Sequence, residues 1–282
     1  MNVKQDMNDN NSLVALHKAE LYLLVEFDKA CRKSGLTYFL DSGTALGAVR
    51  HGGFIPWDDD IDVGMPRKDY EKFMEIGQSM LPNDIFLQNR QTEKNYQRHA
   101  AKLRLEGTVF PESGEMNYEH NGIFIDIFPF DYIPNNKWLA KWDVRYVVEL
   151  LHIVRSNRGK KKSSSPSKFR RTLDGIIKKI PSSWIDKLEK RCLNHAKRNQ
   201  DKSTKFMTCY FWRMSQTHQY LFETEKMLPV RDTSFENRIV SIMNDADYYL
   251  RFMYGNYMQL PPVEQRNTHC RGDIIFGKSN RN

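Results

Sequence analysis

The run Asp58-Asp59-Asp60-Ile61-Asp62-Val63 constrains this chain more than any other segment. Side chains alternate between the two faces of a strand. Read as a strand, the run projects Asp60 and Asp62 from one face, about 7 Å apart at the backbone. Ile61 and Val63 then enter the core. Two carboxylates placed this way repel unless something positive lies between them. A hard divalent cation meets that need, and Mg²⁺ is commonly held by one or two carboxylates plus substrate phosphates. An aspartate-rich surface turn is the plainer reading, and the alternation with Ile and Val speaks against it. An EF-hand shares the spacing of Asp58, Asp60 and Asp62. It also requires a Gly where this chain has Val63 and a Glu where it has Asp69, so that reading fails.

The surrounding pattern is mixed. Leu13, Leu16, Leu23, Leu24, Phe27 and Cys31 recur at helical spacing and predict a helix over 13–34, closed by Gly35. Leu36–Leu40 reads as a strand, Asp41–Thr44 as a turn and Ala45–His51 as one or two helical turns. Tyr70, Phe73, Met74, Gly77 and Met80 mark another helix, with Asp69 as its N-cap. Ile85–Gln88, Ala100–Leu105 and Ile123–Phe128 are short strand candidates. Such alternation predicts an α/β (α+β) fold, a mixed sheet with flanking helices. The small residues Ser42-Gly43-Thr44 sit between a strand and a short helix, where backbone N–H groups approach phosphate. Strand, small-residue turn, helix and then a strand bearing Asp-x-Asp is the pattern of the nucleotidyltransferase fold. That fold adds a third carboxylate from a neighbouring strand. Asp126, alone inside the apolar run Ile123–Phe128, is the candidate; a buried carboxylate needs a metal, a proton or a local partner.

Three segments carry a specific resemblance. Leu36–Phe73 (LTYFLDSGTALGAVRHGGFIPWDDDIDVGMPRKDYEKF), Gly122–Pro134 (GIFIDIFPFDYIP) and Tyr254–His269 (YGNYMQLPPVEQRNTH) resemble the signature motifs of the LicD family, in the family's order. Together they cover about a quarter of the chain. The family has Gly-Asp-Tyr where this chain has Gly255-Asn256-Tyr257. The resemblance implies a nucleotidyltransferase-like fold and transfer of a phospho-alcohol from a CDP-linked donor. In bacterial members the group is typically phosphocholine, from CDP-choline, and the acceptor a sugar of lipopolysaccharide, teichoic acid or another surface glycan. The fukutin group uses CDP-ribitol. On this reading Asp60 and Asp62 hold Mg²⁺, or Mn²⁺ in its place, with Asp58 assisting through water. Asp126 completes a second metal position or serves as base for the acceptor hydroxyl.

Other residues carry two readings each. Arg50 and Lys102 are candidates to hold donor phosphates or are solvated surface cations; Arg67 and Arg266 are further candidates. Trp57 could cage the choline ammonium against its ring face or simply fill the core, and Tyr210-Phe211-Trp212 is another aromatic source. His51 and His269 are acid–base candidates or ordinary polar surface.

The remainder bears on organisation and partners. Residues 1–136 read as the catalytic core, 137–220 as a basic helical insertion and 221–282 as a segment that returns to the core. Within them, 138–154 and the stretch to about 199 are helical, short strands resume after Phe222, and 245–254 is a capped helix. The formal net charge is +8, and residues 155–171 hold eight Lys or Arg and no acid. This favours a polyanionic partner: nucleic acid, a phosphorylated glycan, or the anionic inner leaflet where a lipid-linked acceptor would wait. No apolar run is long enough to span a bilayer and the first residues are polar, so a cytoplasmic location is expected. Cys31, Cys192, Cys209 and Cys270 form no CxxC pair and are expected to be reduced thiols. Two rival functions remain: a sugar-nucleotide glycosyltransferase using Asp60-Ile61-Asp62, and a non-catalytic nucleic-acid-binding protein. The first expects a longer nucleotide-binding half before the motif, and the second leaves the placed aspartates unexplained. No nucleic-acid partner is expected.

Overall fold

The computed structural model describes residues 3–94, 96, 98–112, 118–158, 172, 175–202, 204–210, 221–266, 270 and 272–277. In chain order its main elements are α1 (Val3–Ser34), β1 (Phe39–Leu40), α2 (Ser42–His51), β2 (Asp62–Pro66), α3 (Arg67–Met80), β3 (Ile85–Gln88), β4 (Ala101–Leu105), β5 (Phe124–Ile133) and α4 (Lys137–Arg158). There follow α5 (Ser182–Lys197), β6 (Phe206–Thr208), β7 (Phe222–Glu223), β8 (Arg231–Phe235), β9 (Arg238–Ile242) and α6 (Ala246–Tyr254). The α/β expectation is borne out. Contacts divide the chain into two units, 1–129 with 225–282, and 130–224.

In the first unit the strands lie in the order β1-β2-β5-β4-β3. The β1–β2, β4–β5 and β3–β4 pairs are antiparallel. The predicted apolar stripe of α1 is the reason this helix seats: Leu16, Leu23, Leu24, Phe27 and Cys31 are all fully buried. The Phe27 ring meets Tyr38 and Phe73 edge-on, with centroids 4.9 and 5.0 Å away, and so joins α1 to the start of β1 and to α3. Gly35, at φ +63°, turns the chain out of α1. The hairpin β8–β9 turns through Glu236 and Asn237, both at positive φ, the geometry of a two-residue type I′ turn. α6 starts on Asp245, whose carboxylate accepts from the Tyr248 N–H at 3.0 Å, and stops at Gly255.

Two local expectations are corrected. α2 begins at Ser42 rather than Ala45, because Asp41 caps it: its carboxylate accepts from the Ser42 amide and its carbonyl from the Ala45 amide, at 2.9 and 3.0 Å. Asp69 is not an N-cap. α3 starts earlier, after Pro66, and Asp69 lies within its first turn, where its half-buried carboxylate accepts instead from Thr37.

In the second unit the last three residues of β5 pair with β6, and β6 pairs with β7, all antiparallel. α4 buries Ala140, Val144, Val147, Leu151 and Val154, and α5 buries Ile185, Cys192 and Ala196. Asp143 on α4 ties the two helices together, accepting from His195 at 2.7 Å and Arg198 at 2.6 Å. All four cysteines are free thiols. Among the described residues, no helix is long and apolar enough to cross a membrane. Most of the basic run (159–171), Phe211, Trp212 and His269 lie outside the described residues.

Candidate active site

Asp41 organises the start of the site. It is fully buried at the mouth of α2, and one carboxylate oxygen receives both the Ser42 amide and the Tyr249 hydroxyl. Burial pushes its carboxyl up to about 7, against the lowering pull of those two bonds. Its other oxygen has no partner. The cap holds Ser42 at φ +45°, and Ser42 and Gly43 then form one wall of a cavity of about 720 Å³.

The same cavity is lined by Arg50, Trp57, Asp58, Asp60 and Asp62, with Tyr254, Asn256 and Tyr257 opposite in sequence. Ile61 and Val63 are fully buried while Asp60 and Asp62 are half-exposed, which is the alternation expected of the Asp-x-Asp run. The assigned strand starts only at Asp62, but the sheet bonding reaches one residue further, since the Ile61 carbonyl accepts from the Asp126 amide at 2.9 Å. Asp58 approaches α2 so closely that a Cβ on Gly43 would stand 2.7 Å from its Oδ2. Only glycine at 43 leaves room for that carboxylate.

Thr44 plays a different part from its two neighbours. It is buried away from the cavity, and its hydroxyl oxygen accepts from the Asp62 N–H at 2.8 Å. It therefore braces the strand that carries Asp62. Asp62 is itself strongly perturbed. Desolvation first, then the charges of Asp60, Asp126, Asp41 and Asp58, push its carboxyl well above the usual range. The sequence-distant Asp126 and Asp41 do converge on the Asp-x-Asp run: their amides donate to the Ile61 and Asp62 carbonyls, each at 2.9 Å.

Asp126 stands behind the cavity rather than on its wall. β4 and β5 place Lys102 directly opposite it. The Lys102 ammonium donates to Asp126 Oδ2 at 2.9 Å, lies 3.2 Å from Glu112 Oε1 and sits over the Phe124 ring. Lys102 is wholly buried, so the structure does not bring it to the cavity as a phosphate ligand. Arg104 completes the cluster, reaching Glu112 Oε2 at 2.6 Å and Gln88 at 2.8 Å. Burial raises the Glu112 carboxyl, but Lys102, Arg98 and Arg104 together outweigh that and hold it at about 2. Asp126 Oδ1 remains buried without a partner.

Arg50 lies on the wall, its guanidinium donating to the Tyr257 carbonyl at 2.7 Å. Trp57 has a cation over its ring already, the Arg266 guanidinium at 4.4 Å, and the His51 ring meets it edge-on. Arg67 is buried on α3 and paired with Glu71. One acidic residue was not anticipated. Glu20 of α1 is buried, its Oε2 has no partner, and its carboxyl is pushed well up by burial and then by Asp60, Asp59 and Asp58. The clue was available: Glu20 sits four residues after Leu16 and three before Leu23, inside the apolar stripe.

The donor set suits a hard cation. It is all oxygen, it is crowded with like charge at Asp62, and it includes a stranded buried oxygen on Asp126. Among the described residues no three His, Cys, Asp or Glu side chains form a ready-made cage. An Mg²⁺ site completed by substrate phosphates asks for only one or two carboxylates.

In the α/β unit a capped helix and an acidic strand thus converge on one open cavity. Residues 35–152 match the LicD/FKTN/FKRP nucleotidyltransferase domain, and this part of the chain is a LicD-family domain, as its motifs indicated. The lipopolysaccharide cholinephosphotransferase LicD of Haemophilus influenzae is 26% identical over 266 residues, covering 88% of this chain and 92% of that protein. The ribitol 5-phosphate transferase FKRP of Mus musculus is 28% identical over 130 residues, covering 46% of this chain and 22% of the mouse protein. The human ribitol-5-phosphate transferase FKTN is 36% identical over 69 residues, or 24% of this chain and 15% of its own length. The family match is confined to residues 35–152, and the three relatives are transferases by name.

Proposed function

We propose that the protein transfers a phospho-alcohol, phosphocholine from CDP-choline, to a hydroxyl of a cell-surface glycan such as lipopolysaccharide and releases CMP. The observation that carries this reading is the convergence of Asp58, Asp60 and Asp62 with Ser42 and Gly43 on one cavity. An acidic wall facing a helix start provides for a cation and for a diphosphate in the same space. Asp60 and Asp62 hold the divalent ion, and Asp58 contributes from the Gly43 side. A divalent ion held there, Mg²⁺ or Mn²⁺ in its place, would supply charge neutralisation for the donor diphosphate. Arg50 adds a fixed cation on the same wall. The acceptor oxygen attacks the choline-side phosphorus in line, its proton passes to a site carboxylate, and the bond to the CMP oxygen breaks. Asp126 serves this site from behind: Lys102 ties one oxygen and leaves Oδ1 available. The 26% identical Haemophilus relative supports phosphocholine, and the FKRP and FKTN relatives support ribitol phosphate as the second group to test.

A thermal-shift panel with Mg²⁺ and CDP-choline, CDP-ribitol, CDP-ethanolamine, CDP-glycerol and UDP-sugars tests the donor. The true donor stabilises the fold by mass action. A response to UDP-sugars alone, with a glycoside rather than a phosphodiester as product, refutes the proposal.

A further inference from the structure

The helix α4 has two unlike faces. Opposite its buried Ala140–Val154 stripe stand Trp138, 65% exposed, Trp142, 57%, Leu139, 50%, and Tyr146, 45%. At 3.6 residues per turn, Trp138, Trp142 and Tyr146 follow one another down a single stripe. The two indoles touch, with centroids 5.8 Å apart. Lys137, Lys141 and Arg145, all exposed, form a second stripe beside the first. Glu149 is the one exposed acid on the described face, because Asp143 is half-buried and engaged by His195, Arg198 and Tyr210.

Two adjacent indoles left in water forgo a large apolar burial. What covers them must offer an apolar layer bordered by negative charge, since cations line the aromatic stripe along its length. An indole suits the boundary between such layers, having an apolar body and one polar N–H. Lys and Arg stems lie along the apolar layer while their heads reach the charged one. Aromatic residues on one side of a helix and cations on the other are what an interfacial helix needs. The chain then continues from α4 into 155–171, with eight Lys or Arg and no acid. A second copy of this chain is a poorer occupant. A two-fold contact sets each patch against itself, and the Lys137–Lys141–Arg145 stripes of both copies would then crowd together.

We propose that the α4 face of Trp138, Trp142 and Tyr146, with Lys137, Lys141 and Arg145, docks on an anionic lipid bilayer. The surface is built from helix side chains and does not depend on the transferase reading, because vesicle binding requires neither donor nor divalent ion.

Flotation of the full chain with phosphatidylcholine vesicles, with and without phosphatidylglycerol, tests this. Brominated acyl chains in a parallel set report indole depth by quenching. The parent chain binds the anionic vesicles, is released by salt, and is quenched. Trp138→Ala with Trp142→Ala lowers partitioning on the order of tenfold per indole and removes most of the quenching. Lys137→Gln, Lys141→Gln and Arg145→Gln together lower it about 100-fold, at roughly fivefold per cation. Circular dichroism checks that both variants keep the parent's helix content; the two sets alter different stripes, so either can stand alone. Failure of the parent to bind, or binding and quenching unchanged in the tryptophan variant, overturns the proposal. So does a parent dimer that the tryptophan variant converts to monomer without any vesicle binding, which would seat a second copy on this face.

Discussion

Replacing Glu112 by Gln isolates the charge that steadies the back of the site. Glu112 faces Lys102 at 3.2 Å, Arg98 at 2.9 Å and Arg104 at 2.6 Å. Its carboxyl is held at about 2 against an ordinary 4.5. A depressed carboxyl contributes stability above its unfolded value and loses it as pH falls toward its folded value. The shift corresponds to roughly 3 kcal/mol near neutral pH and roughly 1.5 kcal/mol near pH 3. The side chain is only 19% exposed, so solvent screening takes a modest share. Gln keeps the shape and the hydrogen-bonding reach but not the charge. Urea denaturation of parent and Glu112→Gln across the acid range measures the gap. The gap should be largest at neutral pH and shrink by about half near pH 3. A gap that is absent at neutral pH, or equally large at both, refutes the electrostatic account and makes the effect one of packing.

Three further outcomes follow from the cavity. Asp60→Asn and Asp62→Asn should each lower transfer on the order of 10²–10³-fold or more, while melting temperature in EDTA holds or rises because like charges are relieved; near-parental turnover at the same Mg²⁺ places the metal elsewhere. Gly43→Ala forces the Asp58 carboxylate off α2, since the new Cβ would stand 2.7 Å from it, so turnover should fall at least about tenfold with a stability change under about 1 kcal/mol; unchanged kinetics removes Asp58 from the mechanism. Trp57→Leu should weaken CDP-choline more than CMP by roughly 0.5–2 kcal/mol in calorimetry, and equal weakening would mean that Trp57 serves only Arg266 or the nucleotide.

Much of the site could be read from period and residue type. Asp60-Ile61-Asp62-Val63 announces its faces by alternation, and Asp126 announces itself as the one charge in the apolar run Ile123–Phe128. What stayed hidden depends on register and on tertiary partners. Lys102 looked like a phosphate ligand because a strand lysine has no obvious partner in one dimension. Only the pairing of β4 with β5 sets it opposite Asp126, and only the return of the chain at Glu112 supplies its second carboxylate. The β8–β9 turn hid for a related reason. A two-residue turn usually carries glycine or asparagine where φ is positive, yet Glu236 takes that conformation at φ +48°.

Glu236 can do so because the turn is anchored from outside. Its amide donates to the Gly52 carbonyl at 3.0 Å, and its carboxylate accepts the Phe54 amide at 3.1 Å. Gly52 itself sits at φ +73° to close α2, so two left-handed residues hold each other's loops in place. That clasp lies at the end of α2 away from Ser42, and the chain leaving it runs directly through Trp57 to the aspartates. Asp41 and Tyr249 secure the other end. The helix that presents Ser42 and Gly43 to the cavity is thus fixed at both termini by residues about two hundred positions later in the chain. A reading by local pattern finds the helix and the aspartates, but the rigidity that lets them share one cavity comes from β8, β9 and α6.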